Sequence, residues 1–289
     1  MNNKLLLVDG HNLLFRMFYG MPDTFYTNSG IKFNAVYGFA HALSRVVSII
    51  RPSHALVVFD SEDCGDRREL DKAYKANRPD YSELSPNDCP FTQLGAIYAL
   101  LDEMGIPNHE IHGCEADDVI ESYALNFSDR MDVIIMSTDR DYWQLISQSV
   151  SILDYHGSDS RLIRPDDVSG KFGVRPDQFA DFKCLIGDKS DNIVGVRGIG
   201  PKRAAELLTK YGSIGGIYEH IDEIDRAAAK KALLESRERL ELNSRLIRLS
   251  TVVKLPLELD QLRFSPTNPG NLMSRAGILA ELHADREKK

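Results

Sequence analysis

Short apolar runs alternate with longer stretches of helical spacing through the first half of the chain. Lys4 to Val8 reads as a buried strand, His54 to Phe59 as a second and Val133 to Met136 as a third. Between them, Ala35 to Ile50 places Val36, Phe39, Ala40, Leu43, Val46, Val47 and Ile50 on one helical face. Phe91 to Met104 and Ala116 to Phe127 predict two further helices. Strands alternating with helices predict a parallel sheet covered on both faces. From about Pro165 the spacing is helical throughout: Phe179, Phe182, Leu185 and Ile186, then Ala204, Leu207 and Leu208, and on through Ile217 to Ile221 as far as about Leu249. The expected organisation is an α/β domain over 1–168 followed by an all-helical module over 169–289. The tail after Pro256 is weakly patterned, and the closing REKK is expected to fray.

The polar residues that end the strands are acidic. Asp9 follows LLLV, Asp60 follows ALVVF, and Asp139 and Asp141 follow VIIMST. In an open parallel sheet, ligands bind at the carboxyl ends of the strands. One such aspartate is ordinarily a turn or a helix cap; three strands delivering acids to one edge is harder to explain that way. The segment CEADDVIES adds Glu115, Asp117 and Asp118, more acid than a helix start needs, and mutually repulsive unless a cation intervenes. GDKSDN supplies Asp188 and Asp191 at a further helix end. Nine carboxylates without an accompanying His or Cys pair favour magnesium or manganese over zinc. Two such ions about 4 Å apart can clamp the attacking and leaving oxygens of a phosphoryl displacement.

Charge changes the picture at this point. The 289 residues carry a formal net charge of −8, which argues against a nucleic-acid partner until the nine acids are set aside; removing nine negative charges from −8 leaves +1. A hydrophobic share of 43% and a charged share of 27% are ordinary for a globular chain, and no apolar run approaches the ~18 residues of a membrane helix. The start lacks the form of a signal peptide, and Cys64, Cys89, Cys114 and Cys184 are too scattered for a zinc or redox motif, so reduced thiols and a cytoplasmic location are expected.

Two segments point to a polyanionic partner. Residues 61–90 form an unusually long polar connection that carries Arg67, Arg68, Lys72, Lys75 and Arg78 with Tyr74 and Tyr81. NIVGVRGIGPKRAAELLTKYG has the form of a helix–hairpin–helix over about 190–212. There Gly198 and Gly200 permit close backbone approach, Pro201 suits the first helical turn, and Lys202 and Arg203 add positive charge. Free N–H groups at that helix start suit a DNA phosphate.

The segments LLLVDGHNLLFRMFYG, FNAVYGF, VVFD, RRELDKAYKANRP, CEADDVI, STDRDYWQL and GDKSDNIVGVRGIGPKRAAELL occur in one order over about residues 4–250. On these the chain resembles the 5′ nuclease family, which includes the 5′→3′ exonuclease domain of bacterial DNA polymerase I, phage 5′ exonucleases and flap endonucleases. The resemblance implies a PIN-like α/β nuclease core with a parallel central sheet and a helical arch at about 61–90, followed by the helical DNA-binding module. It implies one Mg2+ at Asp9, Asp60, Glu115, Asp117 and Asp118, and a second at Asp139, Asp141, Asp188 and Asp191, with Mn2+ able to substitute. Lys75, Arg78 and Arg16 match residues that act at the scissile phosphate. Tyr19, Arg67 and Tyr74 match DNA-facing positions beside Gly198, Gly200, Lys202 and Arg203, and a K+ ion is implied at the hairpin. Expected substrates are DNA with a 5′ flap, nick or 5′ overhang, as arise in primer and flap removal during replication and repair. With no polymerase sequence after it, the chain is expected to act as a free-standing, monomeric bacterial or phage enzyme with no membrane partner. Gly65 and Asp66 depart from the family's usual Thr-Phe before the matched arginine, and Phe33 replaces a frequent Thr.

Two alternatives remain open on the sequence: a DNA-binding protein of the same fold without catalysis, and a PIN-like single-strand ribonuclease. The complete carboxylate set speaks against the first and the helix–hairpin–helix against the second.

Overall fold

The computed structural model describes residues 3–61, 63, 66–250, 255–264 and 272–287. β1 (Lys4–Asp9) runs directly into α1 (Gly10–Gly20), and α2 (Asn34–Ile50) leads to β2 (His54–Phe59). A five-residue helix, α3 (Asp66–Leu70), is followed by turns as far as α4 (Leu94–Met104) and the short strand β3 (Asn108–Glu110). α5 (Ala116–Phe127), β4 (Asp132–Met136), β5 (Val150–Asp154) and β6 (Arg161–Ile163) complete the α/β part.

The sheet has the order β3-β2-β1-β4-β5-β6, parallel except for the antiparallel β5–β6 pair. β1 lies at its centre, with Leu7 opposite Leu56 on one side and Ile135 on the other. Successive side chains of a strand point to opposite faces, and the core divides accordingly. Leu5, Leu7, Leu56, Val58, Val133 and Ile135 pack on one face, and Leu6, Val8, Val57, Phe59, Ile134 and Met136 on the other. Because the chain builds β2 and β3 on one side of β1 and then returns to place β4 on the other, strand order reverses between β1 and β4. A crevice at the carboxyl ends of these two strands follows from that reversal.

The remainder is α6 (Pro165–Phe172), α7 (Phe179–Ile186), a two-residue pair β7 (Gly187–Asp188) and β8 (Ile193–Val194), then α8 (Pro201–Tyr211), α9 (Ile214–Glu219), α10 (Ala227–Glu235), α11 (Arg237–Ile247) and α12 (Leu272–Glu287). The expected all-helical module therefore holds one small β pair, which carries Asp188. Phe179, Phe182, Leu185, Leu208 and Leu246 share a continuous core with one face of the sheet. The weakly patterned tail is corrected as well. α12 lays Ala276, Leu279 and Ala280 into the opposite core beside α2 and α4, and Gly95 of α4 leaves the space that the His283 ring fills. Lys288 and Lys289 of the closing REKK lie outside the described residues, as does Gly65. Phe33 packs edge-on against Phe25, ring centres 5.9 Å apart.

Candidate metal centre and nucleic-acid interface

The strand ends place the acids. Asp9 closes β1 and caps α1, accepting the Asn12 N–H on Oδ1 at 3.0 Å. Its other oxygen accepts hydroxyls from Ser137 at 3.1 Å and Tyr142 at 3.2 Å. Burial raises its pKa to about 6, and the neighbouring Asp60 and Asp139 push the same way. Asp60 follows β2, accepts the Ala116 N–H at 2.8 Å and lies 3.0 Å from His11 Nδ1. Burial works against its ionisation, but His11 and the Ala116 amide outweigh it and hold the pKa low.

Glu115, Asp117 and Asp118 stand at the start of α5 around one guanidinium. Arg67 donates to Glu115, to Asp117 at 3.2 Å and to Asp118 at 2.7 Å, and Lys75 meets both oxygens of Glu115 at 3.1 Å. Asp118 also accepts the Ser250 N–H at 2.7 Å. Burial raises the pKa of Asp117 and Asp118 against the pull of Arg67. The same burial disfavours the Arg67 cation, yet the three acids together hold it firmly protonated. These opposite pulls describe one desolvated cluster in which three carboxylates compete for one guanidinium.

On the far side of the crevice, oxygens of Asp141, Asp188 and Asp191 lie within 4.8 Å of one another. Lys183 reaches Asp141 and, at 2.5 Å, Asp188, while Arg78 bonds Asp191 at 3.1 Å. Burial opposes ionisation of Asp188, but Lys183 and Ser190 outweigh it and lower its pKa. Asp139 accepts the Asp141 N–H at 2.9 Å and feels Lys183, Lys75, Asp188 and Arg78. The two groups of acids therefore share one crevice, with Tyr142 beneath them in the field of Asp9, Asp117, Asp139 and Asp60.

The donor set fits hard divalent cations. Arg67, Lys75, Arg78 and Lys183 stand against nine carboxylates, a surplus of five negative charges that two divalent ions would nearly cancel. Lys183 was not singled out from the sequence. Its signal is a lysine inside the apolar stripe FADFKCLI, where it is only 8% exposed.

The connection at 61–90 is less open than its composition suggests. Tyr74 is 3% exposed and belongs to the core, so the expectation that it faces DNA is corrected, and Arg67 is also buried, among its acids. The side chain of Asp66 lies outside the described residues. Lys75 takes a left-handed backbone (φ 54°), unusual for a non-glycine residue, and donates its N–H to the Asp191 carbonyl at 3.0 Å. Asn192 bonds the Ala73 carbonyl at 2.9 Å, and Asn77 bonds those of Lys189 and Ser190. Residues 73–78 are thus docked on the loop that carries Asp188 and Asp191, while 82–88 are exposed turns.

Beside the crevice, Tyr19 is 62% exposed and stacks on Phe15, which also meets Tyr81 and Phe91. Arg16 is not among the groups at the acids; it bonds His156 Nδ1 at 2.7 Å. In the hairpin, Ile193, Val196 and Ile199 are buried while Gly198, Gly200 and Lys202 are exposed and Arg203 is half-buried. Gly198 has φ 79°, which glycine favours. Gly200 has an ordinary φ of −91° and open space where a Cβ would stand, so nothing inside the protein requires glycine there. No side chain caps the N–H groups that open α8.

A family model described as the 5′-3′ exonuclease N-terminal resolvase-like domain matches residues 4–173, and one described as the 5′-3′ exonuclease C-terminal SAM fold matches 174–270. The chain belongs to the 5′-3′ exonuclease family. Curated relatives of this family member include a thermostable DNA polymerase I of Thermus filiformis, 38% identical over 89% of this chain and 29% of that protein. The DNA polymerase I of Streptococcus pneumoniae is 36% identical over 93% of this chain and 31% of its own length. The chain thus spans about 30% of the length of such relatives. Among solved structures, the T5 D15 protein co-crystallised with metal ions aligns over 99% of both chains at 22% identity and a TM-score of 0.71. The catalytic core of Rad2 in complex with DNA substrate aligns over 99% of this chain and 91% of its own at 16% identity and a TM-score of 0.62. These likenesses show that the α/β core and the helical region together form the exonuclease fold.

Proposed function

We propose that this exonuclease-family chain is a magnesium-dependent DNA nuclease that cuts phosphodiester bonds near 5′ ends, at flaps, nicks and 5′ overhangs. The observation that carries the reading is the convergence of nine carboxylates from separate elements at the strand ends, with four cations set among them. Asp9, Asp60, Glu115, Asp117 and Asp118 would hold one ion, and Asp139, Asp141, Asp188 and Asp191 the other. Bound there, two divalent ions supply Lewis-acid stabilisation of the entering and leaving oxygens of the displacement.

The chain's own groups do the rest. Lys75 and Arg78, anchored on the 188–192 loop, offer donors to charge developing on the scissile phosphate. Lys183 holds Asp141 and Asp188 together. Arg67 does the same for the acids of α5, and so serves the strand indirectly. Tyr19 offers an exposed ring to an unpaired base. Arg16 reaches the phosphate only by leaving His156. The hairpin would hold a duplex phosphate on its exposed amides, with Lys202 and Arg203 adding charge, and its loop would hold a K+ ion that adds positive charge there. Work on primer and flap removal in the cytoplasm, as a monomer, belongs to the same proposal. None of the described helices is long and apolar enough to cross a membrane.

The test is cleavage of a 5′-labelled flap substrate beside a plain duplex, each with and without magnesium. The reading expects short 5′ products from the flap in magnesium alone. Cleavage that persists undiminished in EDTA, or none in magnesium, contradicts it.

A further inference from the structure

Tyr142 lies buried beneath the acids, 1% exposed, and the chemistry proposed above leaves it unused. It belongs to the 3₁₀ turn Asp141–Leu145, and the first two residues of that turn serve different halves of the centre. Asp141 faces Lys183 and Asp188, while the Tyr142 hydroxyl reaches across to Asp9 Oδ2 at 3.2 Å.

The acceptor capacity of Asp9 gives this contact its consequence. An ionised carboxylate offers about four lone-pair positions. Asn12 N–H takes one on Oδ1, and the hydroxyls of Ser137 and Tyr142 take both on Oδ2. A single position, on Oδ1, is left. The Ser137 oxygen is itself held by a second bond, the Asp139 N–H at 3.1 Å, so its place beside Oδ2 does not depend on Tyr142. Tyr142 has a rigid ring wedged in the core, so its hydroxyl is held where Oδ2 must lie.

We propose that Tyr142 is a positioning residue that restricts Asp9 to one-oxygen coordination, and so tunes the centre toward small octahedral cations and away from calcium. Magnesium demands near-ideal octahedral geometry, whereas calcium accepts six to eight oxygens and tolerates carboxylates bound through one oxygen or two. Without the Tyr142 hydroxyl, Oδ2 regains a lone pair. Asp9 can then turn or chelate, a loss for the smaller ion and a neutral change or gain for the larger. The proposal rests on the reading of Asp9 as a metal ligand.

The test is calorimetric titration of Mn2+, and separately Ca2+, into the metal-free wild-type chain and into Tyr142→Phe. Thermal melting without metal first establishes that the variant is folded; should it not melt cooperatively, Tyr142→Leu, which also lacks the hydroxyl, takes its place. The expected result is a Kd for Mn2+ weakened about tenfold, the scale of a lost partner behind a metal ligand. The Kd for Ca2+ should change by less than about threefold, so that selectivity between the ions moves. A purely structural role would weaken both ions alike or neither, and either result overturns the proposal while leaving the metal centre standing. A wild-type chain that binds neither ion overturns both the metal reading and this one.

Discussion

At the carboxyl edge of the sheet Asp9, Arg67, Asp141, Lys183 and Asp191 are buried, and several of the charged groups are already paired with one another, although Asp139 and Arg78 are exposed. In the hairpin at 195–203 the backbone lies open, and no side chain caps the helix that follows. On the proposed function the first region works through side chains whose desolvation is offset only by precise partners, so single changes there should strike chemistry and stability together. The second would work through amides that any phosphate can reach, so a change such as one at Gly200 should strike affinity and leave the fold alone. Gly200 shows the contrast within one residue: its φ is ordinary and the space beside it is empty, so any demand for glycine there would have to come from a partner approaching from outside.

The sharpest break between the two regions is expected at Asp139. Asp139→Asn should lower kcat by about 10³-fold or more, corresponding to ~4 kcal/mol of lost transition-state stabilisation, while DNA affinity persists because removing negative charge cannot repel phosphate. Single-turnover cleavage beside a binding assay checks this, and equal loss in both would merge the regions. Lys75→Ala should follow at about 10²-fold in kcat with little change in KM. A change in KM alone would make Lys75 an electrostatic anchor.

Stability separates the regions next. Asp9 has a folded pKa of about 6 against an ordinary value of 3.8, so between those pH values the folded chain keeps a proton that the unfolded chain has released. Stability of the metal-free protein therefore falls as pH rises through that window, by on the order of 3 kcal/mol. Asp9→Asn, which can still cap α1, removes the fall. It should melt higher than the wild type at pH 7.5 in EDTA and match it near pH 4, even as turnover is lost. A variant less stable at both pH values would show that the buried carboxylate is structurally favourable after all.

The smallest effect is expected at the hairpin. Gly200→Val should raise KM about tenfold on substrates with a long downstream duplex and reduce the salt slope of binding by about one, leaving saturating kcat and the melting temperature nearly unchanged. Short substrates should be insensitive. A folded variant that loses kcat equally on long and short substrates would end the division of labour.

The same contrast decides what the sequence could reveal. Asp9, Asp60 and Asp139 were legible because an apolar run and the acid that ends it are adjacent in the chain, and sheet topology then brings the strand ends together. The hairpin was legible because its glycines and the proline lie within a few residues. Lys183, Ser137 and Tyr142 were not, since their partners are 42, 128 and 133 residues away. Tyr74 misled for the same reason: 61–90 reads as a polar excursion, yet its neighbours Ala73 and Lys75 are bonded to the distant 188–192 loop and its ring joins the core. The three-residue strands β3 and β6 gave too few residues for a period to register, and α12 shows its packing face only against α2 and α4.

The most direct test of the central claim is anomalous diffraction from crystals soaked in Mn2+. The account predicts two peaks about 4 Å apart in the crevice. One should lie beside Asp9, Asp60 and the acids of α5, the other beside Asp139, Asp141, Asp188 and Asp191. No peak in the crevice, or binding confined to surface acids elsewhere, would contradict it.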